Sequence, residues 1–443
     1  MEILSYYSDP YCHEIEATVT SVSEVTSDMK KALKVSLGLV PDPVCAVMFD
    51  RTIFYPEGGG QPGDRGFLEV EGRDLVIADT HKLHNNVVHG EPSDGGEDCP
   101  DSDHGLGIVP VHFVLCNPDE INLGTVVKLK LDWNHRYSFM QEHTAQHLVS
   151  GLLYSMFSIG TVSVHLGQDE FTVEVSEPEV SDEKMLEIEK AGNDAILSAD
   201  EVSCNFVSHD EAESLGLRRS IKVDTDVRLV GIAHRDCVAC GGLHVSRTSE
   251  CRILLYMGQE KIRGNVRTIW KTAEPAMNMI HEEHSIIRSL CAMQSARPSE
   301  LVSKVKDITE NLTEERQRNS ALRIKLAEHM IQSELGGGNP VVAMSLEAGS
   351  IDILSFAQAA DAFTDLALCV ISEGSDKELW LILLKGRYEQ LDFSLVRKKL
   401  LSKIGAKGGG RPPLFQGMAP KMTKAEVEKF LAGFIAMAGA EHE

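Results

Sequence analysis

The sequence lacks the features of a membrane or exported protein. No apolar run in its 443 residues approaches the roughly twenty residues that span a bilayer. The first ten residues also carry no basic, apolar leader, so we expect a cytoplasmic protein with no membrane partner. At this length the chain should contain about two to four domains, each with its own core.

The sequence also lacks a disulfide pattern among its cysteines and an overall excess of basic residues. The ten cysteines show no disulfide-framework pattern, so we expect reduced thiols, some of which could bind metal. A net charge of −24 argues against a general nucleic-acid binder, because such proteins are basic. Residues 90–103 are acidic and rich in turn formers, which predicts a surface loop. Conversely, the stretch Lys385 to Arg411 has eight basic and two acidic residues, which fits either an anionic partner or a solvated helix face.

Two short motifs carry the strongest chemical signal. His143 and His147 stand four residues apart in a predicted helix, so both imidazoles project from one helix face. Cys240 and His244 enclose two glycines and a leucine, which lets a tight loop bring both side chains together. Zinc prefers four nitrogen or sulfur ligands in a tetrahedron. The two motifs together therefore predict one zinc site.

Two alternatives to this zinc site remain open. The histidine pair alone could be a surface feature, because the apolar stripe of the helix lies on nearly the opposite face. A compact structural zinc site within residues 234–244 would leave the helix pair without a role. Its candidate ligands are His234, Cys237, Cys240 and His244.

The order of predicted elements indicates a multidomain α+β protein. Short strands between turns predict an N-terminal β-barrel over residues 1–132. Residues 133–272 mix the histidine helix with strands and with a helix capped by Ser181, which predicts an α+β zinc-containing domain. Residues 273–337 are mostly helix formers interrupted at Pro298, which predicts a helical arm or an antiparallel helix pair. After a glycine-rich linker, residues 338–443 predict a small C-terminal α/β domain.

Two glycine runs could let the backbone approach a ligand closely. The first, Gly58 to Gly60, lies between barrel strands and lacks a following helix, which excludes a dinucleotide or P-loop motif. The second offers successive backbone N–H groups flanked by cations, which can hold phosphate, although a flexible linker is the alternative. It comprises Lys407, Gly408, Gly409, Gly410 and Arg411.

Taken together, these motifs resemble one protein family. The run Phe-Tyr-Pro-Glu-Gly-Gly-Gly-Gln-Pro-Gly-Asp from Phe54, the histidine pair and the Cys-Gly-Gly-Leu-His loop resemble the editing region of alanyl-tRNA synthetase. The domain order, with its glycine-rich C-terminal module, resembles the free-standing long-form AlaX trans-editing proteins, so the resemblance spans almost the whole chain. No class II aminoacylation domain precedes the barrel, which implies a protein that corrects charging errors.

The resemblance also implies site residues. Zinc would be held by His143, His147, Cys240 and His244, with Gly58 to Gly60 and Gln61 approaching from the barrel. Leu243 replaces the threonine that is commoner in the family, which removes a hydroxyl but no ligand. The implied substrate-pocket or catalytic residues are Gly59, Gln61, Thr144 and, more weakly, Gln168. The implied tRNA-binding residues are Lys407 to Arg411.

The implied reaction is hydrolysis of the ester that joins a wrong amino acid to tRNA(Ala). Serine is the chief candidate and glycine the second, because the synthetase cannot exclude a smaller residue by size and discriminates poorly against an added hydroxyl. Four protein ligands would fill the zinc shell, so zinc either positions the aminoacyl group or activates water after its shell expands or a ligand loosens. Self-association remains open.

Three other functions are kept as alternatives. The editing domain of threonyl-tRNA synthetase has similar motifs, so mischarged tRNA(Thr) is a possible substrate. A second alternative is a non-catalytic tRNA-binding scaffold with structural zinc. A third, a metal-dependent phosphoesterase, is disfavoured because the sequence has no Asp-His-His run.

Overall fold

The computed structural model describes residues 4–84, 108–219, 221, 226–335 and 340–440. The chain divides into two compact units, Met1–Ile286 and Ile287–Glu443. The finer division at residues 132, 272 and 337 stays a prediction. The acidic segment 90–103 and the linker residues 336–339 lie outside the described residues. Within the described ranges, every helix is too short or too polar to cross a lipid bilayer.

Six antiparallel strands of the first unit form a closed barrel, which confirms the predicted N-terminal β-barrel. The strands are β1 (Glu14–Glu24), β2 (Cys45–Phe49), β3 (Gly66–Val70), β4 (Arg73–His84), β5 (Ile108–Val114) and β6 (Val126–Leu131). They follow one another around the barrel in the order β1-β2-β5-β4-β3-β6. Because side chains alternate along each strand, aliphatic residues such as Val19, Leu68 and Leu129 fill the interior. Two helices accompany the barrel, α1 (Ser5–Ser8) and α2 (Ser27–Leu37).

The histidine helix, α3 (Trp133–Phe157), is the central element of the first unit. It begins where the side chain of Asp132 accepts a hydrogen bond from the backbone N–H of His135. It ends at Ser158, whose φ of 58° is left-handed. Every residue from Phe139 to Leu153 is buried, so the polar face of the helix is covered as well as the apolar one. The interpretation of His143 and His147 as surface residues is therefore wrong.

Two small sheets and three further helices complete the first unit around α3. The four-stranded sheet has the order β12-β13-β8-β7 and the three-stranded sheet the order β11-β10-β9. Their strands are β7 (Thr161–Leu166), β8 (Phe171–Val175), β9 (Val202–Val207), β10 (Val227–Ile232), β11 (Asp236–Ala239), β12 (Leu254–Ile262) and β13 (Asn265–Thr272). The helices are α4 (Asp182–Ser198), α5 (His209–Ser214) and the first part of α6 (Ala273–Gln294), which continues past the division at Ile286. Ser181 caps α4 through the backbone N–H of Lys184, as its sequence predicts.

The second unit is a five-stranded sheet with helices on both faces. A turn at Pro298–Glu300 precedes the long helix α7 (Leu301–Glu334). The other helices are α8 (Ile353–Ala359), α9 (Phe393–Lys399) and α10 (Lys424–Gly439). The strands are β14 (Val341–Leu346), β15 (Leu366–Glu373), β16 (Lys377–Lys385), β17 (Lys407–Arg411) and β18 (Leu414–Pro420), in the order β14-β15-β16-β18-β17. One face packs against α8 and the end of α7, and the other packs against α9 and α10.

The glycine run at 408–410 is a strand, so its interpretation as a loop or flexible linker is wrong. It forms β17, the edge strand, paired with β18. A Cβ on Gly408 would lie 2.8 Å from the indole ring of Trp380, and one on Gly410 would lie 2.9 Å from the Cα of Phe415. Glycine is therefore needed at positions 408 and 410 because β17 lies close against its neighbours there, whereas a Cβ on Gly409 would meet no atom within 4 Å.

Candidate metal centre

Four side chains from distant parts of the first unit meet in one cluster. His143 and His147 project from α3, Cys240 follows β11, and His244 lies four residues further on. One potential ligand atom from each residue lies within 4.8 Å of those from the others. The three histidines are 2 to 4% exposed, whereas Cys240 is partly exposed. Cys237 is an exposed thiol on β11, so the geometry favours the predicted four-residue group over the compact alternative.

Gln61 orients the ring of His143 from the barrel side. Its Oε1 lies 2.9 Å from the backbone N of Leu243 and 3.0 Å from Nδ1 of His143. The backbone N–H can only donate, so the Gln61 atom beside it must be the oxygen. That oxygen can only accept, so Nδ1 of His143 must carry the proton. The lone pair of His143 is then on Nε2, which faces the sulfur of Cys240 at 3.4 Å.

A glycine turn places Gln61 at this position. Gly58 and Gln61 exchange two backbone hydrogen bonds of 3.1 and 3.0 Å around Gly59 and Gly60. These two glycines have φ values of 60° and 82°, as in a type I′ turn, where both central residues need positive φ. The predicted glycine motif thus acts through turn geometry, which directs Gln61 toward α3.

Thr144 orients His244 in the same way. Its hydroxyl donates to the carbonyl of Met140 at 2.8 Å, which uses its only proton. The same oxygen accepts from the backbone N–H of Val245 at 3.2 Å and lies 3.1 Å from Nδ1 of His244. Nδ1 must therefore donate to Thr144. The lone pair of His244 is again on Nε2, 3.6 Å from the sulfur of Cys240.

An acidic side chain faces the third histidine. Oδ2 of Asp236 lies 3.4 Å from Nδ1 of His147, and Arg218 holds the same carboxylate at 2.6 and 3.0 Å. Burial raises the pKa of Asp236, but its contacts with His147 and Arg218 outweigh burial and leave the pKa below its usual value. A carboxylate favours the proton on the nearer ring nitrogen, which leaves Nε2 of His147 free for the cluster.

The electrostatics of the cluster suit a cation. Burial lowers the pKa of His143 and, more strongly, of His244, which favours neutral rings. Burial also opposes charge on His147, but attraction to Cys240 and Asp236 raises its pKa to about 9. The pKa of the Cys240 thiol is held well below its usual range, because attraction to His143 and His147 outweighs burial. Three imidazoles and a thiolate are a donor set that zinc accepts, with loss of the His147 proton on binding.

The backbone of the Cys240–His244 loop is held by hydrogen bonds that three of its carbonyl oxygens accept. Nη1 of Arg228 donates to the carbonyls of Cys240 and Gly242, both at 2.7 Å. The hydroxyl of Tyr7 donates to the intervening carbonyl of Gly241 at 2.9 Å. The guanidinium of Arg228 also lies over the Tyr7 ring, 4.9 Å from its centre. These contacts fix three successive carbonyls of the loop.

Glycine at position 242 is required by close packing. A Cβ on this residue would overlap the ring of His143 and lie 3.0 Å from Oε1 of Gln61. Its backbone N–H donates to the sulfur of Cys240 at 3.3 Å. The second glycine of the Cys-Gly-Gly-Leu-His motif thus lets the loop lie flat against a candidate ligand.

The structure separates the other predicted site residues into three groups. Gln61 and Thr144 lie behind the candidate ligands and orient them, and Gly59 shapes the turn before Gln61. Gln168 is exposed in the turn between β7 and β8, so no bond ties it to the cluster among the described residues. Lys407 to Arg411 belong to the second unit.

Sequence reasoning missed Tyr7, Arg218, Arg228 and Asp236. Arg228 gave a detectable signal, because it is a charged residue inside the otherwise apolar strand Val227–Ile232. Such a residue in a buried strand needs polar partners, and here the partners are the loop carbonyls. Asp236 and Tyr7 carry no comparable signal, since each acts across more than 80 residues of sequence.

We expect Gln61→Leu to weaken zinc binding by about 10- to 100-fold, the usual effect of losing a residue that orients a metal ligand. The change removes the acceptor for both His143 Nδ1 and the Leu243 N–H. Gln61→Glu retains an acceptor oxygen and should retain most of the affinity. Competition with a chromophoric chelator measures both variants. Equal affinity in Gln61→Leu and the wild type would contradict this role.

The comparisons with known proteins agree with this architecture. Residues 5–97 match the family model described as tRNA synthetases class II (A). The chain is 26% identical to the alanyl-tRNA editing protein AlaX-L of Pyrococcus horikoshii over 431 residues, which cover 93% of both chains. It is also 26% identical to the alanyl-tRNA editing protein Aarsd1 of Mus musculus over 445 residues, which cover 98% of both chains. Alanine–tRNA ligase of Pyrococcus abyssi is 25% identical over 433 residues, which cover 95% of this chain and 42% of that ligase. The predicted resemblance is confirmed: the chain is related over almost its whole length to the alanyl-tRNA editing proteins.

Proposed function

We propose that this protein is a trans-editing hydrolase that deacylates mischarged tRNA(Ala), chiefly Ser-tRNA(Ala), with Gly-tRNA(Ala) as a second substrate. The observation that carries the proposal is the group of three buried histidines and one partly exposed cysteine, each histidine turned so that Nε2 faces the group. The relatives that share the chain's full length are named alanyl-tRNA editing proteins. A cytoplasmic location stays a prediction.

The four clustered residues are the proposed zinc ligands. When bound there, zinc supplies Lewis-acid chemistry next to an ester carbonyl or a water molecule. The burial of His143, His147 and His244 excludes bulk water from their side of the cluster. Cys240 is the partly exposed member, so we infer that the acceptor end of the tRNA approaches from its side.

We assign the residues around the cluster to two roles: some position the candidate zinc ligands, and others contact the substrate. The hydroxyl of Thr144 already uses its proton and accepts two N–H groups, so it has no capacity left for the hydroxyl of serine. We therefore assign Thr144 to positioning His244. Gly60 lies beside β7, since a Cβ there would be 3.7 Å from the carbonyl of Val164. The absence of side chains on this turn, and the open space around Gly59, support a role for Gly59 and Gly60 in accommodating a small aminoacyl group.

The test is hydrolysis of three purified substrates: Ser-tRNA(Ala), Ser-tRNA(Thr) and Ala-tRNA(Ala). We expect ester loss from Ser-tRNA(Ala) to exceed the spontaneous rate by at least about 1000-fold, with Ala-tRNA(Ala) spared. Release of labelled amino acid over time gives all three rates. Preferential hydrolysis of Ser-tRNA(Thr) would reassign the substrate, and zinc-loaded protein that hydrolyses none of the three would be a scaffold.

A further inference from the structure

A polar notch lies in the second unit where α7 meets the beginning of α8. Its volume is about 380 Å³. Near its C-terminal end, α7 packs into the core of the unit through Ala327 and Ile331, both fully buried. The residues that line the notch occupy the same helix face two to four turns earlier, at the three- and four-residue spacing of such a face. They include Arg316, Asn319, Ser320 and Arg323.

The two arginines of the notch have unused hydrogen-bond donors. Neither Arg316 nor Arg323 forms an ion pair with any residue that the structure describes. Seven residues separate them, so their Cα atoms lie about 10 Å apart along the helix. Each guanidinium carries five N–H groups in a fork that matches phosphate oxygens.

The acidic residues at the notch are already engaged. Asp352 caps α8 by accepting a hydrogen bond from the backbone N–H of Leu354 at 3.2 Å. Glu315 is paired with Arg318 at 2.8 Å, and Arg318 lies on the opposite side of the helix from the notch. The notch therefore combines one ion-paired carboxylate, one carboxylate that caps a helix and two free guanidinium groups, so positive charge exceeds negative charge by one.

The local sequence agrees with an anionic ligand. Residues 316–325 contain four basic residues and no acidic one, in a chain whose net charge is −24. The amide of Asn319 and the hydroxyl of Ser320 add neutral donors between the arginines. A single carboxylate ligand would need only one guanidinium group. Two arginines about 10 Å apart, with neutral donors between them, suit successive phosphates of a nucleic acid strand.

We propose that this notch binds phosphates of the RNA backbone, an inference that rests on the proposed function for the identity of the RNA as tRNA. The notch lies on the sheet face covered by α8. The basic helix α9 packs on the opposite face, and the Lys407–Arg411 strand forms the sheet edge. The second unit thus offers a phosphate contact separate from the predicted one at Lys407 to Arg411.

The test measures binding of unacylated tRNA(Ala) transcript by the full chain across a range of salt concentrations. For the double variant Arg316→Gln with Arg323→Gln, we expect the slope of log affinity against log salt to fall by about one to two units. Affinity at low salt should fall roughly tenfold. The matched control is Lys304→Gln, which removes an exposed cation of the same helix twelve residues before Arg316 and outside the notch and should leave slope and affinity unchanged.

Two further measurements separate this proposal from the proposed function. A tRNA of unrelated sequence should show the same loss, because phosphate contacts carry no base information. At saturating Ser-tRNA(Ala), the double variant should deacylate at the wild-type rate. If the slope falls as expected from the wild type to the double variant, but the wild type hydrolyses no ester, the proposed function fails and the proposed RNA contact at the notch is retained. If slope and affinity are unchanged in the double variant, or if Lys304→Gln causes an equal loss, the notch does not bind RNA.

Discussion

Replacing His147 with alanine is expected to remove zinc and abolish deacylation. The change deletes one of four clustered donors and leaves the carboxylate of Asp236 facing an empty space instead of an imidazole. A complete site can hold zinc with on the order of 10 kcal/mol or more at neutral pH, so the wild type should retain about one zinc per chain through purification. Elemental analysis and the rate of Ser-tRNA(Ala) hydrolysis measure the two effects.

Cys237→Ala is the matched control for that experiment. Cys237 lies three residues before Cys240, but its thiol is exposed on β11 and outside the four-residue cluster. The control should keep its zinc and its activity. Zinc retained by His147→Ala and lost from Cys237→Ala would instead favour the compact site within residues 234–244.

Gly242→Ala is expected to be as damaging as loss of a ligand, although it adds only a methyl group. The new Cβ would overlap the His143 ring and crowd Oε1 of Gln61. Neither neighbour can retreat, because His143 is held by Gln61 and Gln61 is held by Leu243. We expect zinc affinity and Ser-tRNA(Ala) hydrolysis to fall by at least about 100-fold, measured by chelator competition and ester release.

Gly160→Ala provides the comparison for this steric argument. It lies in the same unit, and a Cβ there would meet only the hydroxyl oxygen of Ser176, at 3.4 Å. It should therefore leave zinc affinity and activity near wild-type values. Wild-type zinc affinity in Gly242→Ala would show that the loop can move away from His143. That result would contradict the view that the hydrogen bonds from Arg228 and Tyr7 fix the loop.

Local patterns in the sequence predicted the elements of the fold well. Strand alternation indicated the barrel, and Ser181 caps the helix it precedes. Helical spacing also explained why His143 and His147 could share one ion. These features depend on neighbours within a few residues, so a single sequence contains the necessary information.

Long-range contacts could not be predicted in the same way. Helical periodicity shows which residues share a face but not what covers it, so the burial of the histidine face came from the fold. The roles of Gln61 and Thr144 depend on hydrogen bonds across 82 and 100 residues. The glycines at 408–410 suggested flexibility, whereas they form a strand in which Gly408 packs against the Trp380 ring and β18, and Gly410 packs against β18.

The spread of the cluster along the chain has a consequence for biosynthesis. The candidate ligands and Gln61 extend from position 61 to position 244 of 443 residues. A nascent chain therefore cannot complete the site until His244 has left the ribosome. Domains generally fold as units in N-terminal order, so the barrel, with its glycine turn already formed, can serve as the template on which the histidine helix docks. Capture of the proposed zinc then has to follow the synthesis of His244 and takes place on a scaffold that the barrel already provides.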